Sequence, residues 1–289
     1  MSPLAVGVVL PSLRTQHEQH LDLREAARYA EKAGLASVWH GDHLAVGGPV
    51  LDVTVGLATA AAVTETISIG ASVFVPALRS LAWAAKQIGS LQQVSGGRLI
   101  LGIGSGGGSA QWAAAEIPYA DRGPRTDRAL ELLPALLAGA PTLIGEQEVT
   151  LAPAVSRPPF WVGNASKVAL RRAAGLGDGW FPSLVKPADV AAGRSWLAGQ
   201  TDRPMTVAVG ATGALGHQVK TAAELEAAIS SGYGIPATGV PITGSPAQAA
   251  ERLAEFQQAG AGHLVMGFAD GDWREQCDLL AAAVSLAGG

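Results

Sequence analysis

The chain has 289 residues, one cysteine and a formal net charge of −4, which suits one α/β domain of about 250 residues and excludes a disulfide-stabilised scaffold. Mild acidity without clusters of Lys or Arg argues against binding to nucleic acid. Because Gly, Ser and Gln interrupt the apolar runs and no basic segment opens the chain, we expect neither a membrane span nor a signal peptide, and hence a cytoplasmic enzyme.

Short apolar runs alternate with amphipathic stretches along the whole chain. The apolar runs predict strands at residues 4–10, 37–40, 67–74, 99–103, 160–163, 179–181, 205–210 and 263–267. The amphipathic stretches predict helices at residues 23–33, 50–63, 81–94, 125–137, 166–176, 187–197, 222–231, 246–259 and 273–286. Because the strand runs lack period-two alternation, they are typical of parallel strands that are covered on both faces.

This alternation favours the α/β class and a single (β/α)8 TIM barrel domain over residues 1–289. An open doubly wound sheet is the alternative. Residues 139–159 are expected to form an irregular insertion after the fourth barrel helix. In a barrel the functional site lies at the carboxyl ends of the strands, so the loops that follow the strands are the candidates for chemistry.

The loop after the second strand carries two imidazoles and a carboxylate, from His40, Asp42 and His43. These groups suit acid–base chemistry or contact with a cofactor, and a hydrogen-bonded loop end is the structural alternative. A metal site would need further ligands on other strands. His263 does not supply one, because it lies at the start of the eighth strand, at the wrong end of the barrel.

The loop after the fourth strand is glycine-rich, and Gly102, Gly104 and Gly107 satisfy the pattern G-x-G-x-x-G. A dinucleotide site is not favoured, because that pattern should follow the first strand of its unit and precede an acidic residue about 20 positions later. The glycines instead predict a backbone that passes close to something flat or bulky, where a Cβ would clash. A plain flexible loop is the alternative.

Small residues at positions 163–166 join the fifth strand to its helix and leave backbone N–H groups accessible at the helix N-terminus. This arrangement predicts a phosphate site, and an ordinary N-cap made by Ser166 or Asn164 is the alternative. Basic side chains that could support an anion follow on the same helix, at Lys167, Arg171 and Arg172.

No Ser-His-Asp, Cys-His or Gly-Lys-Ser/Thr arrangement is found, so the chemistry is expected to depend on a bound cofactor. Four stretches occur in order: G-D-H-L at 41–44, S-G-G-R-L-I-L-G-I-G-S-G at 95–106, P-F-W-V-G at 159–163 and G-D-G-W at 177–180. In these stretches the chain resembles the luciferase-like family, and most of all its branch of oxidoreductases that depend on the deazaflavin coenzyme F420. The run at 95–106 is specific for the family. It is less specific for the cofactor, because flavin enzymes share it.

The resemblance implies a barrel with the cofactor ring buried at its top, with F420 as the cofactor, FMN as the alternative and no metal. It implies that Asp42 and His43 are the catalytic pair beside the ring, and that a non-proline cis peptide bond joins Ser72 to Val73. The cofactor-binding residues that it implies are Asp42, His43, Ser72, Val73, Gly104, Ser105, Gly106, Gly163, Asn164, Ala165 and Ser166.

The predicted function is an F420-dependent reductase that passes hydride to an activated C=C or C=N bond of a small organic substrate. Sugar-phosphate dehydrogenases of this branch carry a catalytic Glu near the position of Gly107, where this chain has only Gly and Ser, so that activity is disfavoured. An FMN-dependent monooxygenase is the alternative. A non-catalytic flavin-binding barrel and a metal-dependent hydrolase are further alternatives.

Composition also bears on assembly. Hydrophobic residues make up 48% of the chain and charged residues 15%, against about 25% charged residues in a typical domain. Part of the surface is therefore expected to be covered, and family members are often dimers, so a homodimer is predicted. Aromatic side chains expected to line an apolar substrate pocket are Trp39, Phe74, Trp112 and Trp180.

Overall fold

The computed structural model describes residues 3–288. Its strands, β1 to β11 in chain order, are Ala5–Val9, Ser37–His40, Ser68–Phe74, Leu99–Ile103, Thr142–Ile144, Gln147–Val149, Phe160–Gly163, Gly179–Phe181, Thr206–Leu215, Ile242–Gly244 and His263–Phe268. Its helices, α1 to α11, are Leu13–Glu18, Leu23–Lys32, Val53–Val63, Leu81–Val94, Ser109–Ala114, Arg122–Leu137, Lys167–Leu176, Pro187–Ala198, Ala222–Tyr233, Pro246–Gln258 and Trp273–Gly288. Within these residues, no helix combines the length and the apolar character that crossing a bilayer requires.

Eight parallel strands close into a barrel in the order β1, β2, β3, β4, β7, β8, β9 and β11. The ring is closed because β8 pairs with β9 and β11 pairs with β1, both in parallel. The predicted TIM barrel is therefore confirmed, and the open doubly wound sheet is wrong. All eight predicted strands are present, and β9 continues beyond its predicted end to pair with the short strand β10.

The main differences from the predicted elements lie outside the barrel strands. Strands β5 and β6 form an antiparallel hairpin within the segment 139–159 that was expected to be irregular. Helix α3 begins three residues later than predicted, because the Asp52 carboxylate accepts hydrogen bonds from the N–H groups of Thr54 and Val55 and so fixes the N-cap there. Helices α1 and α5 have six residues each, too short for a helical period to reveal them.

Large aromatic side chains fill the interior of the barrel and lie directly on glycines of neighbouring strands. The indole rings of Trp39 and Trp161 stack with their centroids 5.6 Å apart. A Cβ at Gly70 would overlap the ring of Trp39, and a Cβ at Gly179 would lie 2.6 Å from a ring carbon of Trp161. Glycine at these two positions therefore makes the space in which the rings pack.

The amino-terminal end of the barrel contains a buried series of hydrogen bonds among these rings. Ser37 Oγ lies 2.7 Å from His263 Nε2 and accepts a hydrogen bond of 2.7 Å from the indole N–H of Trp39. His263 is 7% exposed, and desolvation lowers the pKa of its imidazole to about 4. The prediction that His263 lies at the end of the barrel opposite to the site is confirmed.

Arg98, in the motif S-G-G-R, has a structural role. Its guanidinium donates hydrogen bonds to the carbonyl oxygens of Ser95, Ile67, Ala61 and Thr64, and to the Thr64 hydroxyl. These bonds join the end of α3 to the beginnings of β3 and β4. The run at 95–106 thus fixes the amino-terminal side of two barrel strands as well as the loop at their other end.

We predict that His263 makes the fold sensitive to acid. Its pKa of about 4 lies below the ordinary 6.5 of an exposed imidazole, so between these values the unfolded chain binds a proton that the folded chain does not. The free energy of unfolding should therefore fall by about 3 kcal/mol between pH 7 and pH 4 from this group alone. Urea unfolding at several pH values measures it.

His263→Gln keeps a hydrogen-bonding group but does not titrate, so its unfolding free energy should depend less on pH in that window. His17→Gln, a change at an exposed histidine on α1, serves as the control. Equal pH dependence in the parent and in His263→Gln would contradict the prediction.

Candidate active site

The residues predicted for the site follow four strands that are neighbours in the barrel. Asp42 and His43 follow β2, Ser72 and Val73 lie near the end of β3, residues 104–106 follow β4, and residues 163–166 end β7 and begin the next loop. The strand order β2, β3, β4, β7 brings all of them to adjacent carboxyl ends. The predicted residues therefore share one side of the barrel mouth.

Val73 is the side chain that the glycines of this mouth accommodate. A Cβ at Gly163 would lie 2.8 Å from Val73 Cγ1, a Cβ at Gly102 would lie 3.1 Å from the same atom, and a Cβ at Gly104 would overlap Cγ2. The bulky neighbour that the glycine-rich run predicted is thus a residue of the chain itself. The Ser72–Val73 peptide bond is cis, as the resemblance implied.

The other glycines of the same loop have different surroundings. A Cβ at Gly107 would meet no atom within 4 Å, so this position faces open space. Gly106 and Gly108 have φ angles of +63° and +68°, a region that favours glycine. Residues 102–115 contain no Asp or Glu, so the loop brings no carboxylate to the mouth.

Asp42 is buried and holds two loops together. Its Oδ2 accepts hydrogen bonds from the Val75 backbone N–H at 2.8 Å and from Arg79 Nη1 at 2.7 Å, and its Oδ1 accepts one from Arg79 Nη2 at 2.9 Å. Both carboxylate oxygens are therefore engaged within the protein. Arg79 is not among the residues predicted from the sequence, because no local pattern links it to a carboxylate 37 positions earlier.

His43, next to this pair, is exposed and forms no hydrogen bond within residues 3–288. Partial desolvation lowers the pKa of its imidazole below the ordinary value, with His40 acting in the same direction and the Asp42 carboxylate acting against them. The ring is therefore mainly neutral at pH 7, and both of its nitrogens are available to a ligand. His43 is the uncommitted acid–base group among the predicted residues.

Two further side chains fix the mouth loops to each other. Gln111 accepts a hydrogen bond of 3.0 Å from the Leu44 N–H and donates one of 3.0 Å to the Gly107 carbonyl, which joins the loops after β2 and β4. Arg172 donates to the Ser105 hydroxyl at 3.0 Å and pairs with Asp127. Arg172 is therefore engaged within the protein at the predicted cofactor-binding residue Ser105, and its support of an anion stays a prediction.

The segment before α7 fits an anionic group. Asn164, with a φ of +88°, accepts a hydrogen bond from the Ser166 N–H, and Ser166 caps the helix by accepting from the Ala169 N–H. Within residues 3–288 the N–H groups of Lys167 and Val168 have no acceptor. An exposed helix N-terminus with free N–H groups favours an anionic group such as a phosphate. The Ser166 N-cap is therefore present, and the phosphate site at the free N–H groups stays a prediction.

The loop after β2 does not gather metal ligands. His40 Nδ1 is hydrogen-bonded to the Gly41 carbonyl at 2.9 Å, and Asp42 is bound to Arg79. Across residues 3–288, no three His, Cys, Asp or Glu side chains come together in an arrangement that could hold a metal ion. The described residues of this loop therefore do not form a preformed metal site.

The aromatic residues expected to line a substrate pocket are in the core. Trp39 and Phe74 are 0% exposed, Trp112 is 1% exposed and Trp180 is 2% exposed. The expectation of an aromatic pocket built from these four side chains is wrong. Trp180 instead donates a hydrogen bond of 2.9 Å from its indole N–H to the Asn164 carbonyl and so supports the loop before α7.

Comparison with known proteins gives a match at the level of a family. Residues 5–234 match the family described as luciferase-like monooxygenase. An F420-dependent glucose-6-phosphate dehydrogenase of Beutenbergia cavernae is 33% identical over 174 residues, which cover 55% of this chain and 52% of that protein. The chain spans about half the length of the curated relatives that it matches.

Two solved structures share the fold over their whole length. An F420-dependent secondary alcohol dehydrogenase in complex with an F420-acetone adduct has a TM-score of 0.80 at 14% identity, covering 99% of each chain. The FMN-bound oxygenating constituent of 3,6-diketocamphane monooxygenase from Pseudomonas putida has a TM-score of 0.75 at 16% identity, covering 98% of each chain. At these identities the two structures establish the closed eight-stranded barrel.

We predict that Asp42 and Arg79 are energetically coupled. Arg79→Met leaves a buried carboxylate with a single donor, so it should lower the free energy of unfolding by about 3–5 kcal/mol. The double variant with Asp42→Asn removes the unpaired charge and keeps an acceptor for Val75, so it should lose less than Arg79→Met alone. Urea unfolding of the two single variants and the double variant measures the coupling. Additive losses would show that the pair is not coupled.

Proposed function

The chain belongs to the luciferase-like monooxygenase family, and we propose that it is an oxidoreductase that uses coenzyme F420. The observation that carries the proposal is one barrel mouth with two free elements, the exposed imidazole of His43 and the open N-terminus of α7. The F420-dependent relative of Beutenbergia cavernae supports this choice of cofactor. FMN is the alternative, supported by the FMN-bound neighbour with the same barrel.

Different residues of the mouth would bind different parts of such a cofactor. The free N–H groups of Lys167 and Val168, together with the loop 164–166, would hold its phosphate. Ser72, Val73 and residues 104–106 would line its ring. When bound, F420 supplies hydride transfer. The protein contributes orientation and the exclusion of water, and Asp42 with Arg79 keeps the loop of His43 in place.

We propose that the reaction is a reduction of an activated C=C or C=N bond in a small organic substrate. His43 donates a proton to the product, because residues 102–115 bring no carboxylate to the mouth that could do so. The lack of an acid in that loop makes oxidation of a sugar phosphate a poor fit. Asp42 acts as a positioning residue, since both of its oxygens are bound to Arg79 and Val75.

The experiment that tests the cofactor is equilibrium binding of the purified protein to F420 and to FMN in parallel, read by fluorescence. We expect F420 to bind more tightly than FMN. The opposite preference, together with turnover that requires oxygen, would replace the proposal by an FMN-dependent monooxygenase. Binding of either cofactor without any redox turnover would indicate a non-catalytic flavin-binding barrel.

The same preparation tests His43 with reduced F420 at saturation and a panel of enones and imines as acceptors. General acid catalysis is worth about 10²–10⁴-fold, so His43→Ala should reduce turnover by that range while cofactor binding is kept. In the parent enzyme kcat/KM should fall as pH rises through a pKa below 6.5, because only the protonated imidazole donates. Unchanged turnover in His43→Ala would remove His43 from the mechanism.

We also propose a homodimer that covers α3 and α4. Helix α3 has the sequence VTVGLATAAAV, without a charged residue, and buries Val53, Leu57 and Ala60 on its inner face. Its outer face presents Val55 at 58% exposure, and α4 next to it presents Trp83 at 68%. A helix that is apolar on both faces is typical of one covered on both sides.

Light scattering at micromolar concentration should therefore give twice the mass of the chain. Val55→Asp places a charge at the centre of the proposed interface and should produce monomers. Tyr233→Asp, at an exposed aromatic residue on α9, is the matched control and should remain dimeric. A monomeric parent protein would refute the homodimer.

A further inference from the structure

A cavity of about 410 Å³ opens between the turn Pro76–Leu78 after β3, helix α6 and the hairpin of β5 and β6. None of the residues predicted for the mouth lines it. Its size lies within the range of about 300–1,000 Å³ that is typical of sites for small organic ligands. The cavity is therefore a separate place where a small molecule can be held.

All of the charged side chains that line the cavity are positive. Arg79, Arg125 and Arg128 contribute to the lining, and no Asp or Glu does. Arg79 is neutralised by Asp42, whereas Arg125 donates only to the backbone carbonyls of Ala77 and Arg79. Arg128 is exposed and forms no hydrogen bond or ion pair within residues 3–288. Two guanidinium groups thus lack a carboxylate, in a chain whose net charge is −4.

The rest of the wall is apolar and firmly supported. Ala77 and Leu78 line the cavity and pack on the buried indole of Trp112, together with the half-buried Ile117. Ile144 of the hairpin faces the cavity from the other side. A ligand that fills this space must therefore bring apolar surface to be buried as well as a negative charge.

Helix α4 adds to the positive potential of the cavity. Ser80 and Leu81, where this helix begins, both line the cavity. The Ser80 hydroxyl does not cap the helix, so the first N–H groups of α4 are not satisfied by that side chain. The end of the helix that favours anions lies at the same cavity as the two unpaired guanidinium groups.

We propose that this cavity binds a small carboxylic acid with an apolar chain. The carboxylate pairs with Arg128 and Arg125, because the planar guanidinium matches its two oxygens. The chain of the acid is buried against Leu78, Ile117 and Ile144. Arg79 lines the cavity and also binds Asp42, so the bound acid lies one side chain away from the loop of His43.

Isothermal titration of the full chain with octanoate tests the proposal, with 1-octanol as the uncharged ligand of equal chain length. Octanoate should bind once per chain, and octanol much more weakly. Arg128→Ala should weaken octanoate binding by at least about tenfold, the effect of losing one charge-assisted hydrogen bond. Arg128→Lys should recover only part of the affinity, because an ammonium group keeps the charge but cannot match both carboxylate oxygens. Ile144→Glu should abolish binding by placing a negative charge in the wall.

Arg14→Ala, at an exposed arginine that does not line the cavity, is the matched control and should bind octanoate like the parent protein. Lys167→Ala should also leave octanoate binding unchanged, because Lys167 lies at the barrel mouth. Loss of binding in Lys167→Ala but not in Arg128→Ala would place the acid at the mouth and overturn the proposal. Absence of octanoate binding, or equal binding of octanol, would overturn it as well. No redox cofactor is used, so these results do not depend on the proposed oxidoreductase activity.

Discussion

The interior of the barrel is filled by large side chains that lie on glycines of the neighbouring strands. A Cβ at Gly70 would overlap Trp39, and Gly163 and Gly104 leave room for Val73 in the same way. The interior of an eight-stranded barrel is just wide enough for its side chains, so these rings pack where the neighbouring strands carry glycine. This packing fills the interior of the barrel below the mouth, where the loops after β2, β3, β4 and β7 begin.

At the mouth, polar contacts between loops engage some of the side chains and leave others free. Asp42 with Arg79, and Gln111 with two backbone groups, join loops of different strands. These groups are fully engaged, so they contribute position rather than reactivity. His43 makes no such contact within the described part of the chain, and its lowered pKa keeps it neutral at pH 7. The fixed loop therefore presents one group that can exchange a proton.

The fold by itself does not select the chemistry. The same barrel occurs in a structure with an F420 adduct and in one with FMN, at 14% and 16% identity to this chain. What distinguishes sites on this barrel is local: the acid–base group, the residues of the glycine-rich loop and the charges nearby. In this chain positive groups occur both at α7 and in the cavity beside the turn Pro76–Leu78, and Arg79 both lines that cavity and binds Asp42.

The barrel could be predicted from the sequence, because eight apolar runs and the helices between them are local patterns that need no distant partner. The sequence also located the helix terminus before α7, since Asn164 and Ser166 act within their own loop. The folded structure was needed to show that Asp42 binds Arg79 and that Val73 fills the space at the glycines. It was also needed to show that the three tryptophans and one phenylalanine expected in a pocket are buried. These contacts join residues on different strands, so they depend on strand order and register, which no local period encodes.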